Sequence, residues 1–408
     1  MLYHEAKQLL QKIGQEHLLS YYETLTKEEK ESLLSQIENT DWTVLSNFAH
    51  PEDLSGKGEI EPIEGLTLPM IAKRKEEFKA VGVEAIQKGK VGAILLAGGQ
   101  GTRLGSDHPK GTYNIGVTRD LYIFECLVNN LLDVCKETGV SVPLYVMTSD
   151  KNHAETVAFF EEHNFFGYDS SFVKFFKQDM APAVDFEGKV ILEGKGKIAL
   201  SPNGNGGWFS SLVRAGLLSD VKERGIEWLN VFAVDNVCQR IADPAFVGAT
   251  ILTGVDCGAK AVVKAEPHEK VGVLCLEDKK PSIVEYYELS EEMAQARNED
   301  GSLKYRYGVI LNYLFSLKSL ERIQNAKIPV HVVKKKVPYL AEDGSLVKPE
   351  KENGCKFETL VLDMIKLMDA CLPYEVERSF EFAPIKNKTG VDSVESARAL
   401  LEKNGVLL

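Results

Sequence analysis

The clearest chemical signal lies in Leu95-Leu-Ala-Gly-Gly-Gln-Gly-Thr-Arg-Leu-Gly105. An apolar run passes straight into a glycine-rich turn, and in an open α/β sheet ligands sit beyond the carboxyl ends of the strands. Glycines there let backbone N–H groups approach a phosphate, because no Cβ intervenes and positive φ is accessible. Arg103 and Lys110 follow Gly98 and Gly99 within twelve residues. Such cations neutralise the charge that grows on phosphorus and on leaving phosphates during phosphoryl or nucleotidyl transfer. Two common phosphate loops do not fit. The dinucleotide pattern G-x-G-x-x-G fails at Leu104 in Gly99-Gln-Gly101-Thr-Arg-Leu104, which disfavours hydride transfer. Pro109-Lys110-Gly111-Thr112 reverses the lysine and glycine that a P-loop needs, which disfavours a P-loop NTPase.

Other candidates lie further along. Pro202-Asn-Gly-Asn-Gly-Gly207 concentrates glycines that are costly in chain entropy, so a ligand or a tight turn must justify them. Asp235 leaves the apolar run WLNVFAV, a position that suits either Mg²⁺ or a turn cap. Glu285 falls in the apolar run IVEYYEL, where an unpaired carboxylate would be expensive, so a pair of ligand hydroxyls, a salt bridge to a core lysine or an exposed edge must accommodate it. Asn312 lies in the apolar run GVILNYLF. No convincing Ser/His/Asp or Cys/His arrangement appears. The eight histidines include no H-x-x-x-H pair and the seven cysteines no C-x-x-C pair.

The elements that must position these residues change character along the chain. Residues 1–87 read as helical, with Tyr3, Ala6, Leu9, Leu10 and Ile13 at helical spacing and Thr26-Lys-Glu-Glu29 as a capping box. A polar stretch with Pro51, Gly56, Gly58 and Pro62 interrupts them before a further helix from Lys73 to Lys88. From Val91 strands alternate with helices: VGAILLAGG, LYIFECLVNNLLDVCKE, VPLYVMTS, Asn152 to His163, FVKFFKQ and WLNVFAVDN. Continuous rather than alternating apolar strands imply a mainly parallel sheet covered on both faces. ILEGKGKIAL reads as a hairpin around Gly194 and Gly196, and after Asp256 the pattern tilts to β through AKAVVKAE, GVLCLE, IVEYYEL and VILNYLF. The last 78 residues hold HVVKKKV, a helix ETLVLDMIKLMDA, YEVER and a terminal helix opened by Asp392-Ser-Val-Glu395. The expected division is therefore 1–87 helical, 88–330 a central α/β domain and 331–408 a small α+β domain.

Composition bounds the ligand. The 408 residues carry 48 Lys and Arg against 60 Asp and Glu, a net charge of −12, with 44% apolar residues. An ordinary globular mixture of that sign disfavours duplex nucleic acid and anionic membrane surfaces as partners, while leaving a small anionic ligand held by local cations. Scattered cysteines, a start without a signal-peptide apolar core, and no run of 18 apolar residues point to a cytoplasmic protein.

The glycine loop followed by Pro109-Lys110-Gly111 resembles the uridylyltransferase family that includes UDP-N-acetylhexosamine and UDP-sugar pyrophosphorylases. The resemblance continues in order through Gln178-Asp-Met-Ala-Pro-Ala183, Ser201-Pro-Asn-Gly-Asn-Gly-Gly207, Val234-Asp-Asn236, Asp256-Cys-Gly-Ala-Lys260, Val271-Gly-Val273, Val284-Glu-Tyr286 and Pro384-Ile-Lys-Asn387, over roughly residues 25–400. It implies a Rossmann-like nucleotidyltransferase core with a mixed, mainly parallel sheet. It also implies condensation of UTP with a sugar 1-phosphate to a UDP-sugar and pyrophosphate, with Mg²⁺ as cofactor. By the same matching Gly98, Gly99, Arg103 and Lys110 hold the triphosphate and Gln178 meets the uracil. Gly204 and Asn205 lie against uridine and sugar, Asp235 binds the metal, and Gly272, Glu285 and Asn312 recognise the sugar. Lys386 reaches the phosphates from the carboxyl-terminal region. The expected product is UDP-N-acetylglucosamine, with UDP-glucose or a broad set of UDP-sugars as the alternative. A catalytically silent nucleotide-sugar sensor is disfavoured by the joint presence of Arg103, Lys110, Asp235 and Lys386; the oligomeric state is left open. Two departures stand out: Asn203 replaces a frequent aspartate, and Thr359-Leu-Val-Leu-Asp363 has leucines where N-acetylhexosamine enzymes tend to have phenylalanines beside the sugar.

Overall fold

The computed structural model describes residues 1–48, 58–324, 326 and 328–408. Pro51 and Gly56 of the expected polar stretch lie outside them. The chain forms two compact units interleaved in sequence: residues 1–56, 178–208 and 328–361 make one, and residues 57–177, 209–327 and 362–408 the other.

The larger unit is built on a ten-stranded mixed sheet. Its parallel part is Val173–Lys177, Leu144–Thr148, Val91–Leu96 and Trp228–Ala233, in that spatial order. Val91–Leu96 and Leu144–Thr148 are buried at every position, which explains their unbroken apolar sequence. From Trp228–Ala233 the sheet turns antiparallel through Tyr307–Ser316, which pairs with Cys257–Val263 and Val273–Glu277. The β-rich pattern after Asp256 encodes this half. Leu311, at φ 54°, lies where Tyr307–Ser316 shifts register against Cys257–Val263, between Ala259 and Ala261. That is the signature of a bulge.

The helix Ile123–Thr138 packs eight buried side chains against this sheet and ends on Gly139 at φ 76°. On the helical layer, Leu68–Gln87 lies against Pro244–Thr253 at backbone contact. A Cβ on Gly82 would stand 1.8 Å from the Pro244 carbonyl oxygen, and one on Gly248 1.8 Å from that of Phe78. Only glycine fits either place.

The smaller unit joins the helices Tyr3–Lys12 and Lys27–Asn39 to short antiparallel pairs, among them Val330–Lys335 with Gly354–Thr359. Thr26 and Glu29 form the expected capping box. Leu192–Gly194 and Lys197–Ile198 form the expected hairpin. Leu10, Leu33, Ile37, Val184 and Phe357 share its core.

Three elements differ from the sequence pattern. The helix expected over ETLVLDMIKLMDA is only Val361–Ile365, because Gly354–Thr359 is drawn into pairing with Val330–Lys335. The strand Lys280–Val284 stops before Glu285. The terminal helix Val394–Lys403 is capped by Ser393, whose hydroxyl accepts from the N–H of Ser396, rather than by an Asp392 to Glu395 pair.

Candidate active site

Sheet order fixes the place. From Val91–Leu96 the next parallel strands lie to one side, Leu144–Thr148 and Val173–Lys177, while Trp228–Ala233 lies on the other. Such a switch point opens a crevice at the strands' carboxyl ends. Because Leu96 pairs with Ala233, the glycine loop and Asp235 leave the sheet at the same edge. The Val234 N–H donates to Leu96 O at 3.2 Å.

The loop is braced by its own backbone. Lys110 N–H donates to Gly99 O at 3.2 Å, Gly101 N–H to His108 O at 2.9 Å, and Gly105 turns the chain at φ 71°. Asn152, fully buried, donates from Nδ2 to Ala97 O at 3.0 Å and to Gly99 O at 3.4 Å. Sequence reasoning passed over this residue; the asparagine at the head of a helix was its only trace.

Lys110 reaches inward with its side chain 15% exposed, and its Nζ lies 3.9 Å from Asp235 Oδ2. Burial lowers its pKa from the ordinary lysine value; Asp235 opposes this, and Arg103 and Lys386 add to the lowering. Arg103, Lys386 and Asp235 thus each lie within electrostatic reach of Lys110. Lys386 pairs with Asp392 Oδ2 at 3.0 Å, and Ile385 N–H donates to Asp235 O at 2.8 Å. Lys388 was missed: a Cβ on Gly105 would stand 2.8 Å from its Nζ, so a further cation overlies the glycine loop. Its spacing of two from Lys386 was the available signal.

Gly272 and Glu285 form a second group in the same unit. A Cβ on Gly272 would lie 3.8 Å from Glu285 Oε1 and 2.9 Å from Ile283 Cγ2. Glu285 is half-buried just past the end of its strand, and its N–H donates to Glu288 Oε2 at 2.9 Å. Asn312 is not brought to a surface. It is fully buried, donating to Gln239 Oε1 at 3.1 Å and accepting from Asn230 Nδ2 at 2.8 Å. Its amide braces the interior because it sits opposite Phe232 in the sheet.

In the smaller unit Gln178 is 8% exposed and Gly204 stands at φ 84°. A Cβ on Gly204 would lie 2.3 Å from Thr359 O, and one on Gly206 2.7 Å from the Leu360 carbonyl carbon. These glycines therefore admit the chain's own 359–360 backbone. Asn205 Oδ1 accepts from Val361 N–H at 2.9 Å. Asn203 donates from Nδ2 to Asp41 Oδ2 at 2.7 Å, so an aspartate at position 203 would set two carboxylates together.

Among the described residues no three His, Cys, Asp or Glu side chains cluster to cage a metal. A single strand-end carboxylate still fits Mg²⁺, which keeps waters and takes phosphate oxygens beside one or two protein carboxylates. Burial pushes the Cys126 and Cys238 thiols up to about 12, which disfavours thiolate chemistry.

A glycine loop and converging cations at the switch point of a mixed sheet define a nucleotidyltransferase-type α/β enzyme. The model of the UTP–glucose-1-phosphate uridylyltransferase family matches residues 58–407, and the chain belongs to that family. The chain is 40% identical to the Homo sapiens UDP-N-acetylhexosamine pyrophosphorylase-like protein 1, over 96% of this chain and 82% of that protein. It is 36% identical to the Saccharomyces cerevisiae UDP-N-acetylglucosamine pyrophosphorylase, over 98% of this chain and 90% of that protein. The fold resembles the crystal structure of the Trypanosoma brucei uridine diphosphate N-acetylglucosamine pyrophosphorylase in complex with an inhibitor. The TM-score is 0.83 and the identity 29%, covering 97% of this chain and 83% of that one.

Proposed function

We propose that this chain transfers the uridylyl group of UTP to N-acetylglucosamine 1-phosphate, giving UDP-N-acetylglucosamine and pyrophosphate. A phosphate oxygen of the sugar 1-phosphate attacks the α-phosphorus in line. The bond from that phosphorus to the bridging oxygen breaks, and pyrophosphate leaves with the electron pair. A phosphate monoester dianion is already a competent nucleophile near pH 7, so no protein nucleophile or general base is needed. Catalysis is then positioning and charge neutralisation.

The observation that carries this reading is the convergence of Arg103, Lys110 and Lys386 with Asp235 beside the glycine loop. Gly98 and Gly99 would admit the phosphates to the backbone N–H groups, and Arg103, Lys110 and Lys386 would balance the charge on the departing pyrophosphate. Gln178 is assigned to the uracil, and the Gly204 and Asn205 loop to uridine and sugar. Gly272 and Glu285 are assigned to the sugar hydroxyls. Asp235 would hold Mg²⁺, which when bound withdraws charge from phosphate oxygens. The scattered cysteines support a cytoplasmic setting, and no helix among the described residues is long and apolar enough to cross a membrane.

Leu360 and Leu362 favour a second reading, a UDP-glucose or broad-specificity pyrophosphorylase, since smaller side chains stand where phenylalanines are expected. Pyrophosphate release from UTP with a panel of sugar 1-phosphates separates the two. N-acetylglucosamine 1-phosphate should give the highest kcat/KM; turnover with glucose 1-phosphate alone would establish the second reading.

A further inference from the structure

Lys386 and Asp235 both lie outside regular elements, so something other than a helix or strand must hold them in register. Asn236, next to Asp235 and 1% exposed, supplies the link. Its Oδ1 accepts from Ala383 N–H at 2.9 Å and its Nδ2 donates to Glu381 O at 2.8 Å. Both partners belong to the segment that leads into Lys386. The backbones add a single antiparallel bridge, Asn236 with Pro384, made by the bonds from Ile385 N–H to Asp235 O and from Val237 N–H to Ala383 O.

Each end of this link is anchored from behind. Gln239 donates from Nε2 to Asn236 O at 2.9 Å and to Ala233 O at 2.7 Å, and its Oε1 is held by Asn312. Glu381 accepts from Lys260 Nζ at 2.6 Å and from Arg240 N–H at 3.1 Å. Among the described residues, Asn236 is thus the one side chain shown bonding to both residues 381 and 383 while adjoining Asp235. It is 1% exposed, with both amide atoms bonded to the 381–383 backbone.

We propose that Asn236 is a positioning residue that sets the Lys386 ammonium relative to Lys110 and Asp235, and that it acts on catalysis through Lys386. The proposal rests on the uridylyl-transfer reading. A lysine on an irregular segment loses its value when displaced: misplacement by about 1 Å can cost on the order of 10²-fold in rate.

A double-mutant cycle of Asn236→Ala and Lys386→Met tests it, read as kcat/KM for UTP in pyrophosphate release, with Tm followed in parallel. Asn236→Ala should lower kcat/KM by about 10- to 100-fold, by the same misplacement argument. The double variant should then fall no further than about threefold below Lys386→Met alone, because interacting sites are not additive. Losses that multiply would overturn the proposal, since a merely structural residue weakens the enzyme whether or not Lys386 is present. Asn236→Asp, which keeps the acceptor for Ala383 N–H but sets a buried carboxylate oxygen against Glu381 O, should lose at least as much as Asn236→Ala with the same non-additivity; undiminished activity in both variants would also overturn the proposal. The same cycle on calorimetric UTP affinity reads the coupling without turnover. Wild-type protein that releases no pyrophosphate with any sugar 1-phosphate refutes the uridylyl-transfer reading. An active wild type with multiplicative losses refutes only the role of Asn236.

Discussion

Replacing Lys110 by methionine keeps most of its aliphatic stem and removes one charge. Two unit charges about 4 Å apart interact by about 4 kcal/mol at an effective dielectric of about 20, a fitting value for a side chain only 15% exposed. The desolvation cost is already incurred in the free protein, where burial lowers the pKa of Lys110. Against the lost attraction stands relief of the repulsion that Arg103 and Lys386 exert on Lys110. A net loss of about 3 kcal/mol follows, or roughly 10²-fold in kcat/KM, in line with the removal of one charge-stabilising donor elsewhere. The pH profile adds a second readout. The lowered pKa means that the free protein loses this proton at a lower pH than an ordinary lysine, so kcat/KM should decline early on the alkaline side. In Lys110→Met that limb should disappear, while bound triphosphate, which favours the ammonium, should move it upward in wild-type kcat. Pyrophosphate release measured across pH decides the matter. A loss below about threefold, with an unchanged alkaline limb, would refute the charge-neutralising role; a charge interaction at this burial predicts more.

Three further outcomes follow from the packing. Lys260, wholly buried between Asp243 Oδ2 at 3.2 Å and Glu381 Oε2 at 2.6 Å, should cost about 3–5 kcal/mol on Lys260→Met, read by urea denaturation. Burial raises the Glu381 pKa, an effect that Lys260 opposes, so the fold favours its protonated form; stability from this group is present below its unfolded pKa and lost as pH rises through the folded one. Without Lys260 that upper pKa climbs further, and the variant's deficit should shrink on acidification; a deficit independent of pH would contradict this. Gly82→Ala would place a methyl 1.8 Å from Pro244 O and should cost about 3 kcal/mol, seen as a lowered Tm; an unchanged Tm would show that the helix pair yields easily. Asn312→Leu strands the Asn230 donor and the Gln239 acceptor, so stability should fall by about 2–4 kcal/mol with the sugar 1-phosphate KM unchanged; a raised KM at constant stability would return Asn312 to the sugar site.

The parallel half of the larger unit was legible because buried strands write themselves as unbroken apolar runs, as in Val91–Leu96. The glycine turn after Val91–Leu96 was legible because the unbroken apolar run passes directly into it, as the structure shows. Asn312 misled because an amide in an apolar strand satisfies its burial cost equally well with a ligand or with buried amides. Here Asn230 and Gln239 supply the partners. Gly204 and Gly206 read correctly as a close approach, but the sequence does not say to what, and the structure puts the chain's own 359–360 backbone there. Interleaving was invisible for a related reason. Residues 178–208 share a core with the first helices through Ala181, Val184 and Ile198, single apolar positions that carry no label of their distant partners.

The two halves of the cation group differ in how they are held. Asp235 and the glycine loop inherit their proximity from the pairing of Leu96 with Ala233, inside a strand pair buried on both faces. A slip of one residue there would exchange two packed faces and misfit the side chains of both, so the register is strongly enforced and the loop geometry comes with it. Lys386 has no such guarantee, since its segment meets the Asp235 loop through an isolated bridge, Asn236 with Pro384. Buried amides fill the gap: Asn236 ties the segment to the Asp235 loop, and Gln239, Asn312 and Asn230 tie that loop to the strands. Each amide in that chain carries a desolvation cost that only its neighbour repays, so removing any one member leaves an unsatisfied group inside the fold. The net charge of −12 therefore says little about ligand choice. What sets the charge at the loop is a few cations, one fixed by sheet register and another by a relay of neutral side chains.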